Sequence, residues 1–226
     1  MHSPPFTVLA ALVILPTLPT TACTGSSSSS ETGRIDTDEP SDAEIRAAAA
    51  RDCAAFLARI PNGSEAAYGF RSRDELQRTI IGRPFRVIVA QIGPGSDGAE
   101  SLRPLDKWRV PVIVDGSARA LLTVVRQNGE LRATDFGAAA LSGALEQLEN
   151  KLGISNDAPR FLVRAFALRR DFLYVETTAE AARFYPTEFP RPATNHPTRL
   201  TAPPAALTRS QVFERIRAHR KAAKNE

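Results

Sequence analysis

The chain has 226 residues but only two cysteines, three histidines, one tryptophan and one methionine. Zinc and most transition-metal centres need converging His and Cys side chains. His2, His196 and His219 lie far apart and no Cys-x-x-Cys occurs, so no metal site is expected. Hydrolase motifs are missing as well. There is no Gly-x-Ser-x-Gly, and neither His196, in a proline-rich stretch, nor His219, near the C-terminus, follows a predicted strand. The "GPGSDG" of Gly93–Gly98 lacks both the Gly-Lys-Ser/Thr ending and the following helix of a phosphate loop, and reads as a strand connection. No cofactor is expected. Nor does any apolar run reach the roughly 20 residues that cross a bilayer as a helix.

What the N-terminal stretch does contain concerns location. Residues 1–22 hold no Lys, Arg, Asp or Glu, and "FTVLAALVIL" from Phe6 to Leu15 is followed by Pro16 and small residues. A short apolar core before a small-residue site is the layout of a secretory signal peptide. The sequence Thr20-Thr21-Ala22-Cys23 resembles the lipobox of bacterial lipoproteins in degenerate form, with Thr where that family usually has Leu. The resemblance implies cleavage before Cys23, acylation of Cys23 by palmitate or a similar chain, and attachment to the cell envelope by a lipid anchor rather than a membrane span. Thr24 stands where many such lipoproteins carry the Asp that retains them at the inner membrane, so the resemblance implies an outer membrane where one exists. Ala22 also suits ordinary signal peptidase, and the alternative is a secreted soluble chain. The Ser26–Ser30 run and its Thr, Gly, Asp and Glu neighbours to residue 41 have almost nothing to bury and are expected to form a disordered tether.

The net charge of +4 is concentrated at one end. Arg209, Arg215, Arg217, Arg220, Lys221 and Lys224 against Glu214 and Glu226 account for all of it, so the rest is balanced and no nucleic-acid partner is expected. "RSQVFERIRAHRKAAK" places Val212, Phe213 and Ile216 on one side of a short basic amphipathic helix. That helix either touches anionic lipid or an acidic polymer, or docks its three apolar residues on the domain with its charges solvated.

Between these ends the chain reads as one domain. Ser41 with Glu44 forms a capping box, and Ile45, Ala49, Cys53, Phe56 and Ile60 give an apolar helix face before Pro61-Asn62-Gly63. Cys53 reads as a small core residue if Cys23 is acylated. An unmodified Cys23 opens the alternative of a Cys23–Cys53 disulfide. Ser72 with Glu75 predicts a second, shorter helix ending at Gly82. The period then changes to two. "FRVIVAQI" is a strand, and "WRVPVIV", "SARALLTVVRQ" and "ELRATDF" form a meander joined at Asp115-Gly116 and Asn128-Gly129, dipeptides that accept positive φ. Pro111 predicts an edge position or a non-bonded side for its strand. Leu141, Leu145, Leu148 and Leu152 predict a one-faced helix closed by Gly153, and "RFLVRAFAL" with "DFLYVETT" predicts a further hairpin. No internal repeat is present. The expected fold is α+β, with an antiparallel sheet of about six strands built from hairpins and helices packed on one face. The expected layout is 1–22 signal peptide, 23–41 tether, 42–182 globular domain, 183–208 proline-rich strap and 209–226 basic helix. In architecture alone it resembles small helix-on-curved-sheet folds of the cystatin-like or PepSY-like groups.

Function is less legible than address. The leading expectation is a membrane-anchored, non-enzymatic binding or structural module with an envelope protein or acidic polymer as partner; the small-molecule ligand is left unspecified. One alternative is an envelope hydrolase with a carboxylate site. Among Asp106, Asp115, Asp135, Asp171 and Glu176, turns explain Asp115 and Asp171 and helix capping explains Asp135, which leaves Glu176 and Asp106. Another alternative is an interaction protein acting through the basic C-terminal helix. Trp108 shares its strand side with Val110, Val112 and Val114 and reads as core.

Overall fold

A computed structural model describes residues 39–94, 98–155, 158–176, 182–187 and 204–223. The expected signal peptide, Cys23, most of the tether and most of the expected strap lie outside these residues. Helix α1 (Asp42–Ala58) begins at the expected capping box: the Glu44 N–H donates to Ser41 Oγ at 3.3 Å and the Ser41 N–H donates to Glu44 Oε2 at 2.8 Å. Its buried face is Ile45, Ala48, Ala49, Cys53 and Leu57.

The expected second helix is instead a 3-10 turn over Arg73–Arg78, in which Ser72 makes no side-chain cap. Glu75, the residue needed to complete a capping box, turns inward. It accepts from the Arg71 N–H at 2.7 Å and pairs with Arg119 at 2.9 Å, both side chains being almost wholly buried. A buried carboxylate without a partner is costly, and the ion pair outweighs the local cap.

Eight strands follow: β1 (Ile80–Ile81), β2 (Phe85–Ile92), β3 (Glu100–Val114), β4 (Ser117–Gln127), β5 (Glu130–Gly137), β6 (Phe161–Ala165), β7 (Arg170–Val175) and β8 (Arg183–Pro186). Helix α2 (Ala139–Leu152) lies between β5 and β6, and α3 (Arg209–Ala222) follows β8. The sheet order is β5-β4-β3-β2-β6-β7-β8, with β1 beside β3. The meander turns have the left-handed geometry their dipeptides favour, with φ of 50° and 77° at Asp115-Gly116 and 51° and 83° at Asn128-Gly129. Gly69, at φ +89°, is obligatory for a second reason: a Cβ there would lie 2.1 Å from the Arg119 carbonyl oxygen.

The class is therefore the expected α+β, and the sheet is mostly antiparallel. It has eight strands rather than about six, because Ile80–Ile81 and Arg183–Pro186 also pair. One pairing, β2 with β6, is parallel, since α2 carries the chain back across the sheet. Pro111 sits on an interior strand. Its carbonyl accepts from the Gly82 N–H at 2.8 Å, so its missing N–H falls in the gap between β1 and β2, where no full strand competes for it.

The helices occupy both faces rather than one. Adjacent residues Leu121 and Leu122, Leu162 and Val163, and Phe172 and Leu173 divide between different clusters. The α1 face holds Trp108, Val110, Val112, Val114, Leu122 and Val124. Farther along that face, α3 covers Ala90, Val163, Phe172 and Phe184. On the opposite face α2 sets Leu145 and Leu148 over Phe85, Leu121, Leu162 and Leu173. Runs such as "ALLTVV" and "FLV" are nearly continuous in apolar residues because both of their faces are covered.

Helix α3 docks with Val212, Phe213 and Ile216 at 0–1% exposure. Part of its basic face is spent on the sheet: Arg217 pairs with Glu100 at 2.6 Å, and Arg220 donates to the Ile92 and Gly93 carbonyls at 3.2 Å each. Both outer edges carry local partners. Leu131 O of β5 accepts from Arg51 at 2.7 Å and the Ala133 N–H donates to Asp52 at 2.8 Å, while Phe184 of β8 exchanges two 2.9 Å bonds with Leu207. We expect Phe213→Ala to cost about 3–5 kcal/mol in urea unfolding. Arg215→Ala, on the exposed side of the same helix, should stay within about 0.5 kcal/mol. Equal effects would mean that the helix is not anchored by its apolar face.

Candidate functional site

Helix α2 covers only part of its sheet face. Two residues farther along each strand, apolar side chains give way to polar ones: Leu121 to Thr123 in β4, Pro111 to Arg109 in β3, Leu162 to Arg164 in β6 and Leu173 to Asp171 in β7. Strand registry sets them on the same face, with Thr123 opposite both Arg109 and Asp135, and Arg164 opposite both Val89 and Asp171. Arg109 Nη1 donates to Thr123 Oγ1 at 2.6 Å and lies 3.6 Å from Asp135 Oδ2. Thr123 Oγ1 donates in turn to the same carboxylate at 3.4 Å. Arg164 grips Asp171 through Nε and Nη2, both at 2.8 Å. The Asp171 carbonyl accepts from the Thr187 N–H and hydroxyl at 3.0 Å each, which ties the end of β8 to the network.

The electrostatics of the two arginines differ. Burial lowers the Arg109 guanidinium from its ordinary value, the nearby Arg164 charge lowers it further, and Asp135 and Asp171 oppose the shift. Arg164 moves the other way, chiefly through its bond to Asp171. The Arg109 side chain is 12% exposed, whereas that of its nearest carboxylate, Asp135, is 66% exposed. Val87 and Val89, buried on this face between the two arginine-bearing strands, belong to none of the apolar clusters under the helices. Phe166, an exposed aromatic, lies with its ring centroid 5.8 Å from the Arg164 guanidinium carbon.

Glu176 lies elsewhere, in the lining of a groove of about 360 Å³ between the end of β7, β8 and the start of α3. Leu102, Tyr174, Arg183, Phe184 and Arg209 line it with Glu176. Burial raises the Tyr174 phenol, and the Glu176 charge adds to the rise against Arg209. Asp106 is exposed in the irregular stretch of β3 where pairing with β2 jumps from Trp108 to Pro104, and it is not part of the groove lining. Thus the described groove does not join the two carboxylates left open by the sequence.

The remaining candidates have structural places. Asp115 is a turn residue and pairs with Arg78 at 3.0 Å. Asp135 does not cap α2, whose N-cap is Ala138 with no side-chain bond, and serves the arginine network instead. Asp171 clasps Arg164 and leaves the hairpin turn to Arg169, at φ 51°. Trp108 is core at 2% exposure, and His219 is exposed on α3. Cys23, His2 and His196 lie outside the described residues. Among the described residues no three His, Cys, Asp or Glu gather in a metal-binding group, and no helix is long and apolar enough to cross a membrane. Sequence reasoning passed over Arg109 and Arg164. Their signal was a charge at an interior position of strands "WRVPVIV" and "FLVRA" otherwise rich in apolar residues.

Comparison with protein-family models, curated proteins and solved structures gives no match for this chain.

Cys53 is a free, buried thiol beside a groove of about 310 Å³ lined by Ala50, Leu57, Leu76 and Ile81. Burial pushes its pKa up to about 11. The unfolded chain releases this proton near the ordinary value of about 8.5, so stability is unaffected below that pH and falls as pH rises from about 8.5 to about 11. In urea melts, wild type should lose up to about 2 kcal/mol more than Cys53→Ala between pH 7.5 and pH 10. Parallel losses in the two proteins would show that water reaches the thiolate.

Proposed function

We propose that this chain is an exported bacterial lipoprotein, held to the cell envelope through acylated Cys23, whose α+β domain is a non-enzymatic binding or structural module. The observation that carries the reading is the order of features before the domain: an uncharged apolar run, small residues, Cys23 and a serine tract. A tether serves a purpose when its far end is fixed, and the domain starts with the capped helix at Ser41. The folded part offers a polar sheet face and a groove, both suited to holding a partner. In this reading the outer membrane is the destination where the cell has one, and the partner is an envelope component.

The test is the intact mass and fractionation of the mature protein beside Cys23→Ser, expressed in the same cells. Wild type should carry a diacyl or triacyl mass on an N-terminal Cys23 and sediment with membranes, and the variant should be released from them. An unmodified wild-type chain in the soluble fraction would overturn the anchor and bring back the Cys23–Cys53 disulfide.

A further inference from the structure

On the part of the sheet face beyond the residues that pack under α2, we infer that Arg109 and Arg164 form a binding site for a phosphate-type oxyanion. The inference rests on reading the domain as a binding module and gives that module a ligand chemistry.

Arginine cannot escape burial by losing its proton, so a buried guanidinium calls for fixed partners. Arg109 has few of them. Among the described residues its one hydrogen bond goes to Thr123, and its ion pair with Asp135 is 3.6 Å long and reaches a carboxylate that water competes for. Such an exposed partner contributes little. Among the described residues, no protein group engages the Nε–Nη2 fork of Arg109.

Arg164 is different, since Asp171 occupies its Nε and Nη2 and leaves Nη1 for another acceptor. The two cations share one face, with only β2 between their strands; Arg109 stands opposite Phe85 and Arg164 opposite Val89, four residues farther along β2, and the two side chains reach close enough for the Arg164 charge to act on Arg109. Their unengaged donors therefore come from two strands. A carboxylate presents two oxygens in one plane and is satisfied by one fork. A phosphate presents oxygens in several directions and can accept from a fork and from a second guanidinium together. Phe166 beside Arg164 adds an apolar margin on which the organic part of a phosphate ester could rest.

A purely structural Arg109, tying β3 to β4 and β5, makes the opposite prediction for Asp135. If Arg109 serves a ligand, Asp135 competes with that ligand; if Arg109 serves the fold, Asp135 helps it. The experiment is calorimetric titration of the purified protein with inorganic phosphate, and in a parallel arm with succinate, in chloride buffers of matched ionic strength. Wild type should bind phosphate saturably and more tightly than succinate. Arg109→Lys, which replaces a fork by a point charge, should weaken phosphate binding at least about tenfold. Asp135→Asn should tighten it by roughly two- to fivefold, the size of one exposed ion pair. Because Asp135 is exposed, this second variant keeps the test decisive even if Arg109→Lys fails to fold. Absence of saturable phosphate binding, equal binding of succinate, or weaker phosphate binding by Asp135→Asn would each overturn the site. Membrane fractionation plays no part in this readout, so failure here and failure of the anchor are separate results.

Discussion

The parallel pairing of β2 with β6 joins two halves of the sheet that, apart from the two-residue β1 beside β3, are built from neighbours in the chain. On one side β2, β3, β4 and β5 follow each other through hairpin connections, and on the other β6, β7 and β8 do the same. Only four register pairs, Arg86–Phe161 through Val89–Arg164, connect the halves by backbone. Side-chain packing holds the seam from both faces: α2 lays Leu145 and Leu148 over Phe85 and Leu121 from one half and Leu162 and Leu173 from the other, and α3 packs across Ala90 from the first half and Val163, Phe172 and Phe184 from the second. The parallel contact closes a loop containing three strands and a helix, and its entropy must be offset before that packing forms. The polar network depends on the same seam, because Arg109 and Arg164 stand on opposite sides of it.

Two of the charge pairs in this chain lie deep. Glu75–Arg119 and Glu149–Arg160 are both mostly buried ion pairs. Burial raises the Glu149 carboxyl against the pull of Arg160 and Arg83, and it lowers Arg160 against the pull of Glu149. Pairs of this kind are weak evidence for stability, since desolvation consumes much of the attraction. They do fix relative positions. Arg119 brings β4 to the 3-10 turn at Glu75, and Arg160 brings the start of β6 to α2.

Much of the fold could be read locally. The Ser41–Glu44 box, the Asp115-Gly116 and Asn128-Gly129 turns, the strand from Phe85 to Ile92 and the leucine helix all depend on neighbours in sequence, and the structure has them where the chain chemistry puts them. Features set by partners distant in sequence were not legible. Glu75 looked like a capping residue until Arg119, forty-four positions away, claimed it. Coverage of both sheet faces was present in the unbroken apolar runs, yet a run alone does not say which helix covers which face. The polar network was hidden for the same reason: Asp135 and Asp171 have adequate local explanations as cap and turn, and only strand registry places them beside arginines.

The small bonds at the two ends of the sheet bear on how copies of this protein meet at high concentration. An open strand edge invites a neighbouring chain to extend the sheet, and the invitation strengthens with local concentration. On β5 the Leu131 carbonyl and the Ala133 N–H are taken by Arg51 and Asp52, and on β8 both backbone groups of Phe184 are taken by Leu207. At those positions a second copy meets groups that are already bonded, which leaves a shorter stretch of each edge for it to extend.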